Sequence, residues 1–193
     1  MKTQLKVLKA DGTFEEYLHT KVMGTINNAL GAIGQADIYL AEQLAEVVTY
    51  YLYHRNSRYK VSSNEIFSII KAVLTATGYE EAAMAISEHR FERRIKRCRI
   101  EVVSVDIEEL TDAERLCGAQ QSVDRTPWDK TRIVRHLVSN YGICQQTARA
   151  IASMAEERIF NLGLPLIPSG VVRQLVLGDA AAVLRAERQL QAV

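Results

Sequence analysis

The chain has 193 residues, a formal net charge of +1, 48% hydrophobic and 24% charged residues, which excludes a disordered protein and supplies apolar surface for one medium domain or two small ones. Cys98, Cys117 and Cys144 are scattered without paired metal-ligand spacing, and the start has no leader-like pattern, so reduced thiols in a cytoplasmic protein are expected. No apolar run approaches the roughly 18 to 20 residues of a membrane span, and near-neutral charge predicts no global attraction to membranes or nucleic acid.

The chain opens as a hairpin. Gln4–Leu8 is a short extended run, Lys9-Ala10-Asp11-Gly12 carries an Asp-Gly turn signature, and Thr13–Leu18 returns. Thr20 then offers a cap to a helix with Val22, Ile26, Ala29 and Leu30 at helical spacing. A second helix is expected over about 37–54, with Leu40, Ala41, Leu44, Val47, Val48 and Tyr51 on its apolar stripe. Ser62 with Glu65 three residues on makes a capping box for a third helix, whose buried face is Ile66, Ile69, Ile70, Val73 and Leu74. Thr77-Gly78 stops it. A fourth helix over about 79–97 is apolar at Ala82, Ala83, Ile86 and Phe91 and ends strongly basic, with Arg90, Arg93, Arg94, Lys96, Arg97 and Arg99 against Glu88 and Glu92. The stretch Cys98–Val105 reads as a strand able to join the opening hairpin.

The chain is therefore expected to divide into residues 1–105 and a second, helical unit over 106–193. Thr111-Asp112-Ala113-Glu114 is a capping box, Ser122–Pro127 reads as a linker, and Trp128-Asp129-Lys130 opens a further helix, with Trp128 as a packing anchor. This second run echoes the first at a separation of about 107 residues. Ala41-x-x-Leu44-Ala45 is matched by Ala148-x-x-Ile151-Ala152, and Val61-Ser62-Ser63 by Ile167-Pro168-Ser169. The second copy is expected to lack the hairpin, since nothing before Trp128 resembles Lys9–Gly12.

Catalytic patterns are missing: the four histidines share no close spacing, and neither a phosphate-binding P-loop nor a nucleophile elbow occurs. The opening is more informative. Lys9, Glu15 and Lys21 surround one hairpin and the first turn of its helix, where a shallow basic pocket suits phosphates. Arg90 and Arg93 could add a planar fork from the other side, or these cations could be a solvated surface.

Residues 5 to about 97 resemble the ATP-cone, a nucleotide-sensing module of ribonucleotide reductases and of the repressor of their genes. The resemblance rests on Val7-x-Lys9-Ala10-Asp11-Gly12, Glu15-x-Tyr17, Lys21-Val22-x-x-x-Ile26, Val61-x-Ser63-x-x-Ile66-x-x-x-Ile70 and Ala83-x-x-Ile86-x-x-His89-Arg90-x-x-Arg93. It implies a mainly α protein with a small N-terminal sheet (α+β), a hairpin lid over a four-helix bundle, with ATP or dATP bound between them. It further implies that Lys9 and Lys21 hold phosphates, Glu15 orients the ligand, Ser63 reads adenine, Val7 and Val22 border the base, and Arg90 meets phosphates. Phe67 would stack on the base or sugar, or belong to the core. Ala10 replaces the family's usual arginine, leaving Arg93 or Arg94 to supply the missing cation. A magnesium ion could accompany the phosphates; no structural metal is expected.

The resulting expectation is a non-enzymatic regulator whose nucleotide controls homo-oligomerisation or a partner protein in connection with ribonucleotide reductase. Two other readings stand beside it: a transcriptional regulator binding nucleic acid through Arg90–Arg99, and an interaction scaffold that has lost its ligand.

Overall fold

The structure is a computed structural model that describes residues 4–9, 12–55, 60–104 and 124–191. Chain contacts separate it into two units, Met1–Glu92 and Arg93–Val193. The architecture is mainly helical with a small N-terminal three-stranded sheet, as the sequence pattern implies. Ala10, Asp11, the Thr111–Glu114 capping box and Cys117 lie outside the described residues.

In the first unit, β1 (Lys6–Leu8) pairs antiparallel with β2 (Phe14–Glu16), placing Val7 opposite Glu15. Gly12 sits at φ 78°, the left-handed turn conformation that a side chain would strain, and its N–H closes the turn on the Lys9 carbonyl at 3.0 Å. On the other edge β1 runs parallel to β3 (Lys60–Ser62), so β1 is the middle strand. Helices α1 (His19–Ala32), α2 (Ile38–Arg55), α3 (Ser63–Ala76) and α4 (Glu80–Arg99) follow in order. The core joins Val7 and Val61 of the sheet to Ile26, Leu30, Val48, Leu52, Ile70 and Leu74 of the helices. A single Leu or Ile buried to this degree contributes about 2 to 3 kcal/mol.

Local signals act largely as expected. Ser62 Oγ accepts from the Glu65 N–H at 3.1 Å, and Asp37 Oδ1 accepts from the N–H groups of Tyr39 and Leu40 ahead of α2. Three readings need correction. Thr20 is inside α1, whose cap residue is Leu18 with no side-chain cap bond. The buried stripe of α2 is Ala41, Leu44, Ala45, Val48 and Leu52, while Val47 and Tyr51 face outward. Phe91 is exposed on α4 rather than buried.

The second unit departs furthest from expectation, because it has a sheet of its own. Strand β4 (Glu101–Val103) does not extend the opening hairpin; it pairs antiparallel with β5 (Arg125–Pro127) and parallel with β6 (Leu166–Pro168). Residues 125–127 are thus a strand rather than linker, with Pro127 on an edge strand where its missing N–H costs no ladder bond. Helices α5 (Lys130–Tyr141) and α6 (Gln145–Leu162) precede β6, and α7 (Ser169–Gln191) follows it. Strand order and direction repeat those of the first unit, middle strand first. The copy therefore has the paired strands it was expected to lack, and its sheet begins before residue 106. Gly142 and Gly163, at φ 63° and 65°, close α5 and α6 in left-handed caps.

Candidate functional site

The first unit brings its two lysines together. Lys9 follows β1, Glu15 is the middle residue of β2, and Lys21 lies in the first turn of α1. Lys9 Nζ is 2.5 Å and Lys21 Nζ 3.3 Å from the same oxygen, Glu15 Oε1. Burial pushes the Glu15 carboxyl up, yet the two ammonium groups outweigh it and hold it below its ordinary value. Lys21 remains about half exposed and Lys9 about a quarter. Glu15 itself is only 12% exposed, so these pairs are open on the lysine side, where an incoming polyanion can reach both ammonium groups.

Beneath this trio lies a cleft of about 180 Å³ between the sheet and helices α1 and α3. Val7, Lys9, Glu15, Lys21, Val22, Ser63 and Phe67 all line it, with Thr25 and Tyr17 completing the wall. Arg90 reaches the same region from α4: its guanidinium lies 4.4 Å from the Phe67 ring centroid and donates to Asn64 Oδ1. Phe67 is therefore a cleft residue and packs against the core as well. A larger apolar groove of about 600 Å³ runs along the other face of α3, past Val47, Ile69 and Val73, but Glu65 is its only charged lining residue. Its chemistry does not suit a polyphosphate.

Arg93 is not part of the cleft. It serves the second unit, where its Nη2 is 2.6 Å from Glu156 Oε2 and its Nη1 pairs with Glu157. Glu156 is fully buried on α6, and five donor groups converge on it. Arg97 grips both oxygens at 2.8 and 2.9 Å, Trp128 Nε1 donates at 3.1 Å, and Lys130 Nζ lies at 3.4 Å. Burial pushes this carboxyl up, but the hydrogen bonds from Arg97, Arg93 and Trp128 and the Lys130 charge bring it down to about 2. The basic end of α4 is thus partly spent inside the protein, since Arg93 and Arg97 are ion-paired and Arg90 is engaged with Asn64 and Phe67.

Sequence reasoning overlooked this cluster. Its signal was an acid set directly after Ala155 on the stripe Ala148, Ile151, Ala152, Ala155 and Ile159, every member of which is fully buried. The repeat makes the position interpretable. That stripe aligns with Ala41, Leu44, Ala45, Val48 and Leu52 of α2, which puts Glu156 where the first unit has Thr49. Trp128 aligns with Tyr17, because each donates its N–H at 2.9 Å to the residue before the middle strand, Ile100 and Leu5 respectively. Lys130 accordingly corresponds to His19, and Arg132 to Lys21. Strand register sets Thr126 against Glu15, and Ser104 follows β4 as Lys9 follows β1.

Among the described residues no three His, Cys, Asp or Glu side chains group as a metal site would, and no helix is long and apolar enough to cross a membrane. Compared with known proteins, the chain is 26% identical over 106 residues to the anaerobic ribonucleoside-triphosphate reductase of Haemophilus influenzae. The match takes in 55% of this chain and 15% of the reductase, so the chain spans a small part of that relative. No protein-family model matches. The likeness, partial and distant, links the chain to a ribonucleotide reductase.

Proposed function

We propose that the first unit is an ATP-cone-like sensor that binds ATP or dATP, and that the protein is a non-enzymatic regulator connected with ribonucleotide reduction. The observation that carries this reading is the convergence of Lys9 and Lys21 on one carboxylate at the rim of an apolar cleft. A triphosphate replaces one carboxylate by several negative charges, so it gains both lysines at once. The cleft volume of about 180 Å³ is below the few hundred Å³ usual for whole ligands. It would take the base, between Val7, Val22 and Phe67 and beside Ser63, with the phosphates outside on the lysine rim. The partial likeness to a reductase supports the connection with deoxynucleotide supply. Regulation requires the nucleotide to favour one assembly or partner-bound state over another, since equal affinity for both shifts nothing.

Calorimetric titration with ATP, dATP, GTP and AMP, alongside thermal shift, tests the proposal. Adenine triphosphates should bind, Lys9→Ala and Lys21→Ala should each weaken them about tenfold or more, and AMP should bind poorly. At 100-fold over its dissociation constant a ligand adds about 2.7 kcal/mol of stability. Absence of any shift at millimolar triphosphate would remove the reading. Sedimentation velocity with and without nucleotide then asks whether the ligand changes self-association.

A further inference from the structure

Behind the cleft wall a single hydroxyl has all of its bonding capacity in use. Thr49 Oγ1 donates its one proton to the Ala45 carbonyl at 2.7 Å. Its two remaining lone pairs face the Tyr17 hydroxyl at 2.7 Å and His19 Nδ1 at 2.9 Å. A hydroxyl has one proton and two acceptor sites, so the bookkeeping fixes both neighbours. The Tyr17 O–H must be the donor, and His19 must carry a proton on Nδ1. Tyr17 is buried, its phenol is pushed above the ordinary value by that burial, and the residue lines the cleft. The ring also meets Tyr53 edge-on at 6.4 Å.

We infer that Thr49 is a positioning residue for the nucleotide cleft: it holds the Tyr17 wall from α2 by accepting the tyrosine hydroxyl, and so sets the width of the space beneath Lys9 and Lys21. The second unit provides an internal comparison. At the same three positions it has Glu156, Trp128 and Lys130, again with the residue after the hairpin donating to the α6 side chain. The tie from the residue after the second strand to the second long helix is thus kept while its chemistry changes from a hydroxyl accepting from a phenol to a carboxylate accepting from an indole. In the first unit Lys9 and Lys21 line the cleft. This inference rests on the nucleotide-binding reading for its ligand and on geometry alone for the wall.

The test compares Thr49→Val, which keeps the side-chain shape but accepts nothing, with Thr49→Ser, which keeps the oxygen. Losing the acceptor for a buried donor should weaken ATP binding about tenfold in the valine variant, while the serine variant binds within about twofold of the parent. In both variants the methyl resonances of Val7, Val22 and Ile70 report the cleft directly, and the His19 ring nitrogens report the tautomer. The valine variant should shift the cleft methyls and release the Nδ1 proton preference; the serine variant should restore both. If the parent binds ATP and the valine variant binds equally well, the inference is overturned and the nucleotide reading stands. If the parent binds no triphosphate, the nucleotide reading falls, and unshifted cleft methyls in the valine variant overturn the positioning role as well.

Discussion

Glu156→Gln is the sharpest perturbation the structure offers. The parent carboxylate takes five donors from Arg97, Arg93, Trp128 and Lys130 in a site with no exposure. The amide is nearly the same size but has no charge, and its own N–H groups point at other donors. Removing one partner of a fully buried ionic group costs about 3 to 5 kcal/mol, and the lower end applies here, because Arg93, Arg97 and Lys130 keep 23%, 39% and 32% exposure and regain part of their hydration. Acid provides an independent measure of the same quantity. Glu156 ionises at about 2 in the folded chain against an ordinary 4.5. A depressed carboxyl stabilises the fold fully above the unfolded value and loses that contribution as pH falls through the folded one. The displacement is worth about 3 kcal/mol at neutral pH, of which roughly 2 is gone by pH 3. Trp128 is the sole tryptophan and donates to Glu156, so its fluorescence follows this unit without interference. Urea unfolding monitored at Trp128 should show the variant less stable by about 3 kcal/mol or more at pH 7. The gap should narrow steadily from pH 4.5 down to pH 2, where about half of the parent carboxyl is protonated in the folded chain. A loss below about 1 kcal/mol at pH 7, or a gap independent of pH, would refute the claim that this buried charge is held by its donors.

Two further outcomes concern the reactive surface. Glu15→Gln removes the carboxylate that competes for Lys9 and Lys21, so inorganic tripolyphosphate should bind more tightly in low salt; an unchanged calorimetric affinity would mean the pairs do not compete with phosphate. Cys144 is exposed at the cap of α6, where its Sγ accepts from the Thr147 N–H, and hydrogen bonding to Thr147 holds the thiol below its ordinary value. It should therefore alkylate faster than the exposed Cys98 in a timed mass-spectrometric assay at pH 7, and equal rates would contradict that ordering.

Which parts of this could be read from residues alone follows from the range of the forces involved. Turn and cap chemistry is local, so Gly12, the Ser62–Glu65 cap and the start of α5 after Asp129 were legible. Helical stripes were legible to within a residue or two, and Val47 and Tyr51 erred only because an alternative register of α2 was equally apolar. The second sheet was not legible. Its strands are three residues long, a segment of about twenty residues separates β4 from β5 without a hairpin signature, and their pairing is decided by contacts remote in sequence. Convergence of Lys9, Glu15 and Lys21 could be anticipated because all three lie near one hairpin. The Glu156 cluster could not, since Arg93 and Arg97 come from a helix about sixty residues away and read as a solvated basic end.

The repeat also decides how many nucleotides one chain should hold, on the proposed reading. A cone-like site needs its cations free to leave a weak partner for the ligand. In the first unit that condition is met on the cation side, because Lys9 and Lys21 share one carboxylate at the rim and keep 27% and 51% exposure. In the second unit the register replaces Glu15 by Thr126 and Lys9 by Ser104, so neither the anchor nor its first lysine is present. Of the cations that unit owns nearby, Arg93, Arg97 and Lys130 are committed to a carboxylate with no solvent exposure, and releasing them would strand a buried charge; Arg132, set against Lys21 by the same offset, is exposed but has no counterpart of Lys9 to work with. A paired sheet is therefore not sufficient for binding; the partition of charge between rim and interior is what separates the two copies. Native mass spectrometry and calorimetry should give one triphosphate per chain, abolished by the Lys9→Ala, Lys21→Ala double variant. A second equivalent that survives that double variant would show that the second unit binds after all, and that its arginines are less tightly committed than their geometry indicates.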